Sequence, residues 1–125
     1  MADKLYDDLT GHITKLHRKI EYLTNKLNRE TSIEDVALLN QRLERTQTKY
    51  NNYVDRLKYY ISFIPGPRTK ECMELMYIEN WTKEDISDYY YIDESVIVRE
   101  LVCGRQIISA LEKFNTETIK ENVVV

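Results

Sequence analysis

Residues 81–111 read WTKEDISDYYYIDESVIVRELVCGRQIISAL, and their pattern decides the fold. Thr82, with Asp85 three residues on, is a capping-box-like start that opens a short helix through Ile86 to about Tyr89. A break follows at Tyr90-Tyr91-Ile92. Asp93 then caps a longer helix whose seam is Ile97, Leu101, Gly104, Ile108 and Leu111, recurring at intervals of four and three. Short helix, tight turn and longer helix make a helix-turn-helix, and a preceding helix would complete a three-helix core. Pro67 suits the first position of that preceding helix, and Cys72, Met73, Leu75, Met76 and Ile78 supply its apolar face.

Upstream, Pro65-Gly66-Pro67 is the one cluster of chain punctuators, so a helix must end by Ile64. We therefore expect two domains, 1–64 and 65–125. In the first, Tyr6, Leu9, Ile13, Leu16, Ile20, Leu23 and Leu27 form a heptad stripe. The stripe breaks at Arg29-Glu30-Thr31-Ser32, where Ser32 and Asp35 resemble a second capping box. A new stripe follows: Val36, Leu39, Leu43, Thr46, Tyr50, Tyr53, Leu57, Tyr60 and Ile64. Two long amphipathic helices joined by a few residues predict an antiparallel helical hairpin, a coiled coil that buries each stripe against the other. So thin a core predicts self-association.

The 125 residues carry only 3 Gly and 2 Pro, which disfavours a turn-rich β sandwich or barrel and supports an all-α chain. Apolar runs are only a few residues long, too short for a membrane span. Met1-Ala2-Asp3-Lys4-Leu5 lacks a signal-peptide core, and Cys72 and Cys103 form no CxxC pair, so we expect reduced thiols and a cytoplasmic protein. The net charge of -3 hides an asymmetry. Residues 1–64 hold 11 Lys+Arg against 9 Asp+Glu, whereas residues 65–125 hold 7 against 12.

Arg68 to Lys113, about 46 residues, resembles the helix-turn-helix of primary sigma factor region 4 as carried by phage transcription regulators of the RinA and ArpU type. The resemblance rests on Arg68, on Met76-Tyr77-Ile78-Glu79, and on Trp81-Thr82-Lys83-Glu84-Asp85-Ile86. Glu94-Ser95, Ile97, Arg99 and Ala110-Leu111-Glu112-Lys113 complete it. It implies that the third helix enters the major groove of promoter DNA in a bacterial host cell, with RNA polymerase as a further partner. Carried over, Ser95, Val96, Val98 and Arg99 would face DNA, with Thr82 and Lys83 near the backbone and Arg105 a further phosphate contact. Where the family commonly has Gly in the turn, this chain has Tyr91, and Asp93-Glu94 bring acid to the start of the third helix.

Ten tyrosines are unusual for this length. Tyr50, Tyr53 and Tyr60 lie on the hairpin stripe as core or protein-interface residues, and Tyr89-Tyr90-Tyr91 cannot all face one core, so Tyr89 and Tyr90 are interface candidates. His12 and His17 are five apart, a poor spacing for shared metal ligation. No nucleotide, metalloprotease or nucleophile fingerprint is present, so we expect no enzyme and no cofactor. The leading expectation is a homo-oligomeric, DNA-binding transcription regulator. Its rival is a protein-binding module on an acidic helix-turn-helix scaffold, directed at a host or competitor factor. A small phage terminase subunit is a third reading.

Overall fold

A computed structural model describes the backbone of residues 8–124 and the side chains of residues 8–114. The chain is all-helical, 84% helix and without strands among the described residues. Among the described residues the helices are α1 (Leu9–Arg29), α2 (Ile33–Ile61), α3 (Pro67–Tyr77), α4 (Lys83–Tyr90) and α5 (Glu94–Val124). No helix among the described residues is long and apolar enough to cross a membrane. Tyr6, the first residue of the α1 stripe, lies outside the described residues.

Two compact units divide the chain between Asp55 and Arg56, inside α2. The punctuation at Pro65-Gly66-Pro67 thus ends a helix, while the division between units falls about ten residues earlier. The reason is packing: Leu57, Tyr60, Ile61 and Ile64 are buried, and Arg56 reaches Glu112 of α5 at 3.0 Å. The end of α2 therefore belongs with the helices that follow it.

In the first unit Asp8 caps α1, its carboxylate accepting the Gly11 amide at 2.7 Å. Leu9, Ile13 and Leu23 of the stripe are buried, as are Leu39, Thr46 and Val54 of α2. Between the two helices the rings of His12 and Tyr53 stack at 5.7 Å, and those of His17 and Tyr50 lie 6.1 Å apart. The capping box expected at Ser32 does not form. Glu30 Oε1 accepts the amides of Thr31 (3.1 Å) and Ser32 (3.2 Å), and Ser32 supplies only its carbonyl to Val36 at 2.9 Å. Glu30 thus takes the Ser32 amide that the Asp35 carboxylate would accept in a capping box.

In the second unit α3 and α4 pack against α5 and against each other. α2 stops at Ile61, short of the expected Ile64, because the amides of Phe63 and Ile64 turn to carbonyls three residues back, at 3.0 Å each. Ile97, Leu101, Gly104 and Ile108 are buried as their spacing predicts, and Leu111 is half-buried. Gly104 is where α3 comes closest. A Cβ there would lie 2.5 Å from Met73 Cγ and 2.6 Å from its Sδ, and Met73 is itself fully buried. Only a residue without a side chain lets the two helices approach so closely.

Polar contacts tie α3 to its neighbours. Glu100 of α5 accepts the Thr69 hydroxyl and, at 3.0 Å, the Arg68 guanidinium. The Thr69 bond and the Arg68 charge hold the Glu100 carboxyl below its ordinary value of 4.5, against a desolvation that works the other way. Tyr90 donates its hydroxyl to Glu71, and burial together with that bond pushes the phenol up. Between these pairs sits Cys72, fully buried, its thiol pushed up to about 11 by burial and by the nearby Glu100 charge. Cys103, by contrast, is exposed on α5.

Candidate nucleic-acid interface

The site begins with how α4 and α5 are set. Thr82 and Asp85 close the predicted capping box: Thr82 Oγ1 accepts the Asp85 amide and Asp85 Oδ2 accepts the Thr82 amide, both at 3.1 Å. At the far end of α4, Tyr91 takes φ 55° and ψ 40°, the left-handed conformation that glycine favours. The Tyr91 amide bonds Asp88 O (3.3 Å), the Ile92 amide bonds Ser87 O (3.2 Å), and Ser87 Oγ donates to Ile92 O (2.5 Å). This is a Schellman closure with Tyr in the place of Gly. Tyr91 is 95% exposed, so the cost is local backbone strain, about 1–2 kcal/mol, and not a clash with the core. The turn keeps its shape without glycine.

Asp93 supplies its carbonyl to the Val96 amide at 3.0 Å, and its carboxylate accepts the Ser95 hydroxyl at 2.6 Å. The side chain expected to cap α5 through a backbone amide is therefore occupied by Ser95.

Opposite the buried Ile97 seam, one face of α5 is open to solvent. Ser95, Val98, Arg99, Val102 and Gln106 are all exposed, spaced three, one, three and four. They share a stripe roughly 16 Å long at the helical rise. Thr82 and Lys83, also exposed, stand at the entry to α4. Two carried-over positions fall off this face. Val96 is half-buried on the flank, one position before Ile97, and Arg105 is half-buried and engaged within the protein. Val102 and Gln106 continue the stripe and were not singled out from the sequence. The signal that could have found them is the period: adding seven and eleven to Ser95 gives both.

The tyrosines separate by position. Tyr60 is buried at 4% exposure, a core residue of its unit, while Tyr50 and Tyr53 are half-buried against the two histidines. Tyr90 is half-buried and held by Glu71, so it serves the joint between α3 and α4 and is closed to a partner. Tyr89 and Tyr91 are the exposed members of the triplet.

No family model, curated protein or solved structure matches the chain. What the site can do rests on its own residues. Arginine and glutamine each make bidentate bonds to purine edges, and valine packs against thymine methyls. Val98 and Val102 set two exposed apolar side chains on that face.

A second feature lies on α4. Trp81 and Tyr89 meet edge to face, ring centres 5.6 Å apart at 85°, and Asp85 and Asp88 complete the rim of an open depression of about 440 Å³. Tyr89 is an interface candidate and Trp81 and Asp85 belong to one motif, but no spacing along the chain joins Trp81, Asp85 and Asp88 into one surface.

Proposed function

We propose that the chain is a phage-type transcription regulator that binds double-stranded promoter DNA through α5. In this reading α3, α4 and α5 are a sigma-region-4-like helix-turn-helix, and α1 with α2 is an antiparallel coiled-coil hairpin through which copies associate. The observation that carries it is the open stripe Ser95, Val98, Arg99, Val102 and Gln106 on a helix whose opposite seam is fully packed. The hairpin is supported by the order of the ring pairs, since His12 meets Tyr53 while His17 meets the earlier Tyr50.

Titrating the duplex upstream of its own gene against an unrelated duplex, in a salt series, tests the reading. We expect a preference of at least tenfold for the upstream duplex and a steep loss with salt. Absence of any preference at low salt rejects it. Arg99→Glu should abolish the preference by setting a negative charge against DNA.

A second reading is a protein-binding module on the acidic helix-turn-helix scaffold. The aromatic and acidic depression at Trp81, Tyr89, Asp85 and Asp88 favours it.

A further inference from the structure

The depression beside α4 has the chemistry of a cation site. Its walls are the rings of Trp81, half-buried, and Tyr89, exposed, set edge to face at 85°. The Tyr89 ring also packs at 80° to that of Tyr90, centres 5.0 Å apart, and Tyr90 is itself held by Glu71. The corner is thus preorganised by packing. Its rim carries Asp85 and Asp88, three residues apart on one side of the helix. The Asp88 carboxylate makes no hydrogen bond or ion pair with any described residue, and Asp85 uses one oxygen on the Thr82 amide. In the same unit Glu100 and Glu112 both hold an arginine. The two rim aspartates are therefore carboxylates without a cation, set against aromatic rings that attract one.

We propose that this corner receives an arginine side chain from a basic segment of a partner protein. The guanidinium is planar, stacks on an indole face, and carries a fork of donors that suits a carboxylate. A volume of about 440 Å³ admits one such side chain and not a whole helix. The unit around it is acidic, residues 65–125 holding 12 Asp+Glu against 7 Lys+Arg, so its field favours a basic segment over an acidic one. On the α4 wheel Asp85 points away from Lys83 by about 160°. The inference deepens the protein-partner reading and makes no use of the DNA reading.

Trp81 is the only tryptophan of the chain, so its emission reports on the corner directly. The probe is a capped Gly-Arg-Arg-Gly-Arg-Gly peptide, compared with its citrulline counterpart, which keeps shape and loses charge. We expect a saturable change in Trp81 emission with the arginine peptide, at least fivefold weaker binding of the citrulline peptide, and weakening with salt. Asp88→Asn should weaken the arginine peptide at least threefold with helix content and thermal midpoint unchanged, since the capping box uses Asp85. Equal binding of the two peptides, or a folded Asp88→Asn variant that binds as well as the parent, overturns the proposal. Sedimentation of the protein alone completes the test: growth with concentration that Asp88→Asn abolishes would assign the corner to a second copy and overturn the partner assignment. Upstream-duplex affinity of the same variant, expected unchanged, keeps the two functional readings separable.

Discussion

The two units bury their apolar residues in different ways. In the second, α3 and α4 close over α5 until Cys72, Met73, Ile86 and Ile97 are all fully buried and a glycine is needed to let the backbones pass. In the first, the buried apolar side chains among the described residues are Leu9, Ile13, Leu23, Leu39 and Val54, strung along two long helices, while Tyr22, Ile33 and Leu38 face outward. A core made of three helices encloses its residues from several sides. Two helices leave their backs uncovered. The second unit is thus equipped to stand on its own packing, and the first is equipped to gain stability from another copy.

The sharpest way to break that contrast is to open the second core. Ile97→Ala removes a fully buried side chain from the α5 seam and should cost about 3–4 kcal/mol, read as a lowered urea midpoint with unchanged slope. Gly104→Ala comes next. Ordinary helix propensity would favour alanine by about 1 kcal/mol, yet the new Cβ meets Met73 at 2.5 Å, so we expect a net loss of about 1–2 kcal/mol. A gain would mean that α3 and α5 have more room between them than their packing allows.

For the first unit the telling measurement is concentration. If copies associate through it, the thermal midpoint rises several degrees across a hundredfold increase in protein, following mass action. Leu38→Glu should remove that rise and leave the dilute midpoint within about 0.5 kcal/mol of the parent, because Leu38 is exposed. Smaller again is Tyr91→Gly. It relieves the left-handed strain and should stabilise by about 1 kcal/mol, partly offset by a freer unfolded chain.

The smallest effect concerns acid. The Glu100 carboxyl is held below 4.5 in the folded state, so its contribution is present above that value and is lost as pH falls through the lowered one. Glu100→Gln should lower stability at neutral pH and flatten the acid limb below about pH 4.5, which stability measured at pH 3 and pH 7 would reveal.

How far the residues foretold this depends on the length scale of each feature. The α5 seam was legible because burial on one side of a helix leaves a period, and Ile97 to Ile108 keep it. The Thr82–Asp85 box was legible because it closes within three residues. Ser32 and Asp35 show the same spacing and fail, since the neighbouring Glu30 carboxylate takes the Ser32 amide. Tyr91 in the place of Gly implies either strain or a turn of another shape, and the structure shows strain. Three hydrogen bonds around Ser87, Asp88 and Ile92 hold the backbone where it is. The Trp81 corner was not legible, because it depends on the angle between two rings, and spacing along a chain does not specify that. The exposed stripe of α5 was half legible: Ser95, Val98 and Arg99 by resemblance, Val102 and Gln106 only once the buried side was known.

The two cysteines divide along the same line as core and surface, and that gives the molecule a built-in clock. Cys103 stands in solvent and will react with an alkylating reagent at the rate of the reagent itself. Cys72 is closed to solvent, with its thiol protonated up to about 11, so it reacts only in molecules whose α3 has lifted from α5. The ratio of the two rates at a given temperature is therefore the fraction of time this joint spends open. A ligand that grips α5 or the α4 corner will slow the second reaction and leave its own signature there.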